Sequence, residues 1–237
     1  MTQASSRLRV EWAACAIAAA ASRFIPVPLL DDAVKGRATQ VAVVRTLRAE
    51  GRTYPATAVA PLYEGVDSFR GGAWKYARSI PRRVVLFPVR KYVALFGAVK
   101  GVPTDVMVVL LLARTTQRVA SRGQLMGDDV SSTQEEAVRV RKAFDTTVDE
   151  MDLRLFAGAL KDALSGSRGL ARSAVGYARS TFGRDDAVKE ADTGQSLDPK
   201  GEVGESARAI DKVLDRPDVA RQLDEFDRRL DERLKHS

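Results

Sequence analysis

The chain has 237 residues, 45% hydrophobic and 6% aromatic, with 38 Arg and Lys against 31 Asp and Glu for a formal charge of +7. That length and apolar content suffice for one substantial core and exclude a chain that is disordered by composition. A single cysteine, Cys15, excludes an intramolecular disulfide and a thiolate zinc cluster and fits a reducing compartment, and a single histidine, the penultimate His236, argues against His-based catalysis or metal binding.

In chain order, Ser5 or Ser6 can cap a first, alanine-rich helix to about Ser22, which Pro26 and Pro28 stop because proline supplies no amide donor. Arg7 and Arg9 ahead of the apolar residues 12–21 make a faint secretory-leader pattern, but Glu11 and the weakly hydrophobic alanines argue against cleavage. A second helix over 30–49 has Asp31 and Asp32 in its first turn and Arg45 and Arg48 near its end, so both ends complement the helix dipole. The two helices should form a hairpin, with Val34, Val41, Val44 and Leu47 turned to a core. Pro55, Pro61, Gly65, Gly71 and Gly72 punctuate residues 51–81, which leaves room for one short helix at about 56–63.

Residues 68–127 concentrate the charge, with eleven Arg and Lys against one acid, Asp105, so the remainder sums to −3. They are also the most apolar stretch. The spacing predicts a cationic, apolar hairpin over 81–122. Its first arm, 82–99, opens with Arg82, places Val84, Tyr92, Leu95 and Val99 together, puts Arg83 and Arg90 on another side with Lys91 at the boundary, and is kinked or delayed by Pro88. Gly97, Gly101 and Pro103 make the turn. The second arm, 104–121, has an unbroken apolar run at 106–113 and then a stripe of Arg114, Gln117, Arg118 and Ser121, and Asp105 is expected to cap its first turn. The longest uncharged runs, 12–22 and 53–63, fall well short of the roughly 20 residues a membrane span needs.

Overlapping capping boxes, Ser132 with Glu135 and Thr133 with Glu136, predict one long helix over about 131–164. Val140, Phe144, Val148, Met151, Leu155 and Ala159 would form its apolar stripe. A further helix over 169–182 carries Arg168, Arg172 and Arg179 on one side and Leu170, Ala174 and Tyr177 on the other. This pattern suits equally an anionic membrane surface and the solvated face of a bundle. Residues 184–202 read as an acidic, flexible linker, and 203–237 as a charged amphipathic arm. Pro217 helps to start its helix, on which Val219, Leu223, Phe226, Leu230 and Leu234 make one stripe. Such an arm can fold back on the cationic hairpin, pair with its copy, or stay free to bind a partner helix.

No phosphate-binding glycine loop or nucleophile elbow is present, and Cys15 has no basic neighbour in sequence. No catalytic residue, cofactor-binding residue or metal ligand stands out, so the chain is not expected to be an enzyme or to hold a cofactor. Nucleic-acid binding has the charge but neither a recognition helix nor an aromatic platform, and is disfavoured.

The string Phe24-Ile-Pro-Val-Pro-Leu-Leu-Asp-Asp, followed by a helix with Gln40, Val43 and Val44 and ending Leu-Arg-Ala-Glu-Gly-Arg52, resembles an uncharacterised helical-hairpin domain attached to some bacterial Era-like GTPases and membrane-associated proteins. Val102-Pro-Thr-Asp105, with its helix to Arg122, is a fainter second copy. The chain departs from that pattern at Glu50-Gly51, where the family has tyrosine-glycine, and it has no GTPase domain. The resemblance implies membrane proximity and no known catalysis.

The sequence therefore predicts an all-α protein. A core domain of helical hairpins packed as a bundle, with one long helix, covers 1–183, a linker covers 184–202 and a helical arm covers 203–237. The leading functional expectation is a non-enzymatic, cytoplasmic protein peripheral to the membrane. It docks on an anionic lipid surface, or beside a membrane protein, through Arg82, Arg83, Arg90, Lys91, Arg114 and Arg118, with Arg168, Arg172 and Arg179. The rival is a soluble scaffold that uses the C-terminal stripe for dimerisation or partner docking. Docking requires Val84, Leu95, Val109 or Leu111 exposed beside the arginines, and the scaffold requires them buried.

Overall fold

The computed structural model describes residues 5–26, 30–64, 96, 99, 101–125, 127, 129–166, 169–183 and 197–236. Among these residues the chain forms helices and no strand: α1 (Ser6–Ala21) with a 3-10 turn (Ser22–Phe24), α2 (Leu30–Ala49), α3 (Ala56–Glu64), α4 (Val102–Ser121), α5 (Val130–Glu150), α6 (Arg154–Ser165), α7 (Leu170–Phe182), α8 (Gly201–Leu214) and α9 (Pro217–Lys235). The protein is an all-α bundle.

The bundle is built around α1. Leu8 and every residue from 11 to 21 are buried, and α2, α4, α7 and α8 all lie against it. A helix apolar on all sides has to be surrounded, and alanine lets neighbouring helices approach closely. The helix begins where Ser5 Oγ accepts the Leu8 amide at 3.3 Å. In the α1/α2 hairpin Glu11 meets Arg45 and Trp12 meets Thr46, so the first half of α1 lies beside the last turns of α2. Trp12 Nε1 donates to Thr46 Oγ1 at 2.7 Å, and Thr46 donates in turn to Ala42 O, so the buried polar atoms are satisfied.

The apolar run of α4 belongs to the core, with Val109 4% and Leu111 0% exposed. The helix starts at Gly101, whose φ of +95° favours glycine, and an added Cβ would fall 2.8 Å from Arg23 Nη1. Asp105 is not the expected cap. It is the fourth helical residue, its own amide already bonds Gly101 O at 2.9 Å, and its carboxylate accepts from Arg23 Nη2 instead. Of the expected first arm of the hairpin, only Phe96 and Val99 are described. Phe96 is buried with its ring 5.7 Å from that of Phe24. Val84, Leu95 and the kink at Pro88 lie outside the described residues.

The long helix expected over 131–164 is two helices. Met151 is extended, at φ −92° and ψ 139°, and Asp152 and Leu153 separate α5 from α6. The Asp152 carboxylate accepts from the Arg154 amide at 3.1 Å, an alternative to helical bonding. Gln222 of α9 then spans the break, accepting from the Phe156 amide at 3.0 Å and donating to Asp152 O. The break rotates the stripe, so that Leu153, Phe156, Leu160 and Leu164 are buried and Leu155 is 46% exposed. The start of α5 also differs from expectation. Asp129 caps it, accepting from the Ser132 amide at 2.8 Å while Ser132 Oγ accepts from the Asp129 amide at 3.2 Å. Glu136 accepts from the Gly127 amide instead of closing a box with Thr133.

The C-terminal helices share the common core. Val203, Ala207, Ile210 and Val213 of α8 and Val219, Leu223, Phe226 and Leu230 of α9 belong to the same apolar cluster as α1. Helix α8 packs on α1, α6 and α7, and α9 packs on α5 and α6. Within the expected linker, α8 already begins at Gly201, while 184–196 lie outside the described residues.

Candidate cationic surface

Arg114, Arg118 and Arg122 recur at four-residue spacing near the end of α4, and Asp224, Asp227 and Asp231 recur at three and four on α9. The two rows meet as a ladder. Arg114 Nη2 lies 2.9 Å from Asp227 Oδ2 and 3.5 Å from Asp224 Oδ1. Arg118 reaches the same Asp227 oxygen at 2.9 Å and holds Asp231 through Nε at 2.9 Å and Nη2 at 2.6 Å. Arg122 adds a third contact, to Asp231 at 2.6 Å. The centre of the ladder is desolvated, with side-chain exposures of 10% for Arg118 and 6% for Asp227.

The charges follow from that geometry. Hydrogen bonding to Asp231 raises the Arg118 pKa, and the nearby carboxylates add to the effect against the opposing cost of burial. Burial alone would push the Asp231 carboxyl up, but hydrogen bonds from Arg118 and Arg122 outweigh it and hold it below the usual carboxylate range. Bidentate guanidinium–carboxylate pairs of this kind are the strongest form of the interaction. Arg114 and Arg118, expected on an anion-binding surface, are therefore engaged by acids of their own chain. Backbone packing places α9 on α5 and α6, and long arginine side chains complete its tie to α4.

The C-terminal stripe is likewise occupied. Val219, Leu223, Phe226 and Leu230 are buried and Leu234 is half-buried, with the Phe226 ring edge-on to Phe144 of α5 at 6.0 Å. These side chains pack on α5 and α6, so the amphipathic pattern reflects the chain's own core. Arg172 and Arg179 are exposed on α7, opposite the buried Leu170, Ala174 and Ala178. Arg82, Arg83, Arg90, Lys91 and Arg168 lie outside the described residues.

Several ion pairs have no counterpart in the sequence reading. Glu11, 6% exposed at its side chain, accepts from Arg45 Nε and Nη2 at 2.6 and 3.0 Å. Its signal was a lone acid in an alanine-rich helix, which needs a cation once that helix is surrounded. Arg9 holds Asp215 through two nitrogens, at 2.6 and 2.9 Å, and reaches Asp211 at 2.7 Å, fixing α1 to α8. No local pattern links residues so far apart in sequence.

Cys15 is fully buried and burial pushes its thiol far up, so it is protonated at neutral pH. His236 is exposed just beyond α9. Among the described residues, no group of three or more His, Cys, Asp or Glu is placed to hold a metal ion, and no helix is long and apolar enough to cross a membrane. No protein-family model, curated protein or solved structure matches the chain.

Proposed function

We propose that the protein is a non-enzymatic helical platform that docks on an anionic membrane surface, or beside a membrane protein, through the cationic, apolar residues 65–95, assisted by Arg172 and Arg179. One observation carries this reading: residues 65–95 hold seven Arg and Lys against Asp67 alone, a charge of +6 in a chain whose total is +7. The ladder between α4 and α9 engages Arg114 and Arg118 internally, so the proposed surface no longer includes α4. Seven basic residues near an anionic leaflet supply on the order of 1 kcal/mol each, enough for reversible attachment. Trp74, Tyr76 and Phe87 add apolar and interfacial character. The likeness of the first hairpin to a domain of membrane-associated proteins points the same way.

Co-sedimentation with phosphatidylcholine vesicles, with and without phosphatidylserine and at low and high salt, tests it. Binding should require the anionic lipid, weaken with salt, and fall when Arg82, Arg83, Arg90 and Lys91 are all changed to Glu. Failure to bind any anionic vesicle would overturn direct lipid docking. A soluble scaffold is the second reading, favoured by the burial of Val109 and Leu111. It predicts vesicle-independent self-association or partner binding, read by sedimentation velocity.

A further inference from the structure

Beside the first turns of α1 lies a cleft of about 450 Å³, walled by α8 and by the extended residues 197–200 that lead into that helix. Its walls are fixed from several sides. Ser6 Oγ of α1 donates to Asp211 of α8 at 2.6 Å, and Arg9 holds Asp211 and Asp215, so the two helices are tied at this point. Pro199 is buried, and its carbonyl approaches α8 so closely at Gly204 that an added Cβ there would collide with it. Gly201, at φ +57°, then turns the chain into the helix. A cleft held by such ties needs little ordering when a ligand enters.

The lining combines an apolar surface with one cation and one anion. Val10, Leu197 and Pro199 supply the apolar part. Arg208 stands on α8 and Asp198 on the extended segment, both exposed, and they border the same cleft without pairing with each other. Asp198 has the adjacent Lys200 at 4.0 Å, beyond hydrogen-bond distance, and Arg208 pairs with none of the described acids. Arg7 also borders the cleft but already has Glu11 as a partner. Opposite charges set apart beside apolar groups complement a small zwitterion: a carboxylate suits the guanidinium fork, an ammonium suits the aspartate, and an aliphatic body covers the apolar residues. A simple anion would leave Asp198 facing like charge, and a simple amine would do the same to Arg208.

We propose that this cleft binds a free α-amino acid with an aliphatic side chain, its carboxylate on Arg208, its ammonium on Asp198 and its side chain against Val10, Leu197 and Pro199. The site is separate from residues 65–95, so it stands or falls independently of the membrane docking.

The test titrates L-leucine into the full chain at constant ionic strength while backbone amide resonances are followed. Two further probes each lack one charge, isocaproate the ammonium and isoamylamine the carboxylate. L-leucine should shift the amides of Val10, Leu197 and Asp198 and saturate with a Kd on the order of 1 mM or tighter. Each single-charge probe should bind about tenfold or more weakly than L-leucine. Arg208→Gln and Asp198→Asn should each weaken L-leucine by about tenfold at unchanged Tm, since both side chains are exposed, and Arg139→Gln on the exposed face of α5 should change nothing. A titration that never saturates, a single-charge probe that binds as tightly as L-leucine, or undiminished binding by either cleft variant overturns the proposal.

Discussion

Glu11 and Arg45 are an ion pair almost fully buried between α1 and α2. Taking two charges from water is costly, so the pair itself contributes little net stability, but removing one partner strands the other. Glu11→Ala should therefore destabilise the protein by about 3–5 kcal/mol, measured by urea unfolding, and Glu11→Leu with Arg45→Met should recover most of the loss. A full-size penalty in the double variant would mean that the pair is needed for more than mutual compensation. Cys15, buried nearby with its thiol pushed up, should react with a thiol reagent at neutral pH only at the rate of global opening. Asp231 makes the pH dependence explicit. Its folded pKa is depressed, so its contribution is present above the ordinary carboxylate value of about 3.9 and is lost as pH falls through the lower folded value. Unfolding free energy should drop below about pH 4, and Asp231→Asn should flatten that part of the curve.

At the scale of elements, the passage from α5 to α6 separates two accounts of one sequence pattern. In a continuous helix Leu155 continues the stripe of Phe144 and Val148, but after the break at Met151 it faces solvent while Phe156 enters the core. Leu155→Ala should stay within about 0.5 kcal/mol of the wild type and Phe156→Ala should cost about 3–5 kcal/mol. The reverse order would restore the continuous helix. The same comparison shows what was legible in the sequence. Helix α2 was readable to its ends because Asp31, Asp32, Arg48 and Gly51 are local signals for a start and a stop. The break was not, because it depends on Gln222, far along the chain, taking up the Phe156 amide. Val203, Ala207 and Ile210 carried a helical spacing, but the acidic residues before them suggested a linker and arm. Within the candidate site, the stripe of Arg114 and Arg118 was visible, and the fold-back of the C-terminal arm onto it was one of three open paths, but the individual acids that pair with it were not legible. Opposite charges on α4 and α9 have no sequence-local relation, so only the tertiary path decides whether those arginines meet a ligand or their own chain.

For the whole molecule, the question is whether α9 is an appendage or a wall. Val219, Leu223, Phe226 and Leu230 are buried against α5 and α6, each apolar side chain contributing about 1.5–3 kcal/mol. The acids of α9 also pair with Arg114 and Arg118 of α4 and with Arg122 just beyond it, Arg118 being largely buried. Both effects act in the same direction, and their sum is comparable to the entire 5–15 kcal/mol that typically separates folded from unfolded chains. A chain ending at residue 216 should therefore lose its cooperative thermal transition and expose apolar surface that binds a hydrophobic dye, whereas removal of an independent arm would leave Tm unchanged. Charge and packing can be separated within the full chain. Changing Asp224, Asp227 and Asp231 together to Asn leaves the apolar stripe intact, so the cooperative transition should survive at lower Tm. Changing Leu223 and Phe226 together to Ala leaves the ladder residues in place but removes core, and should come closer to the truncated chain. If the charge variant were instead the more damaged, the ion-pair ladder rather than the apolar stripe would be what holds α9 to the bundle.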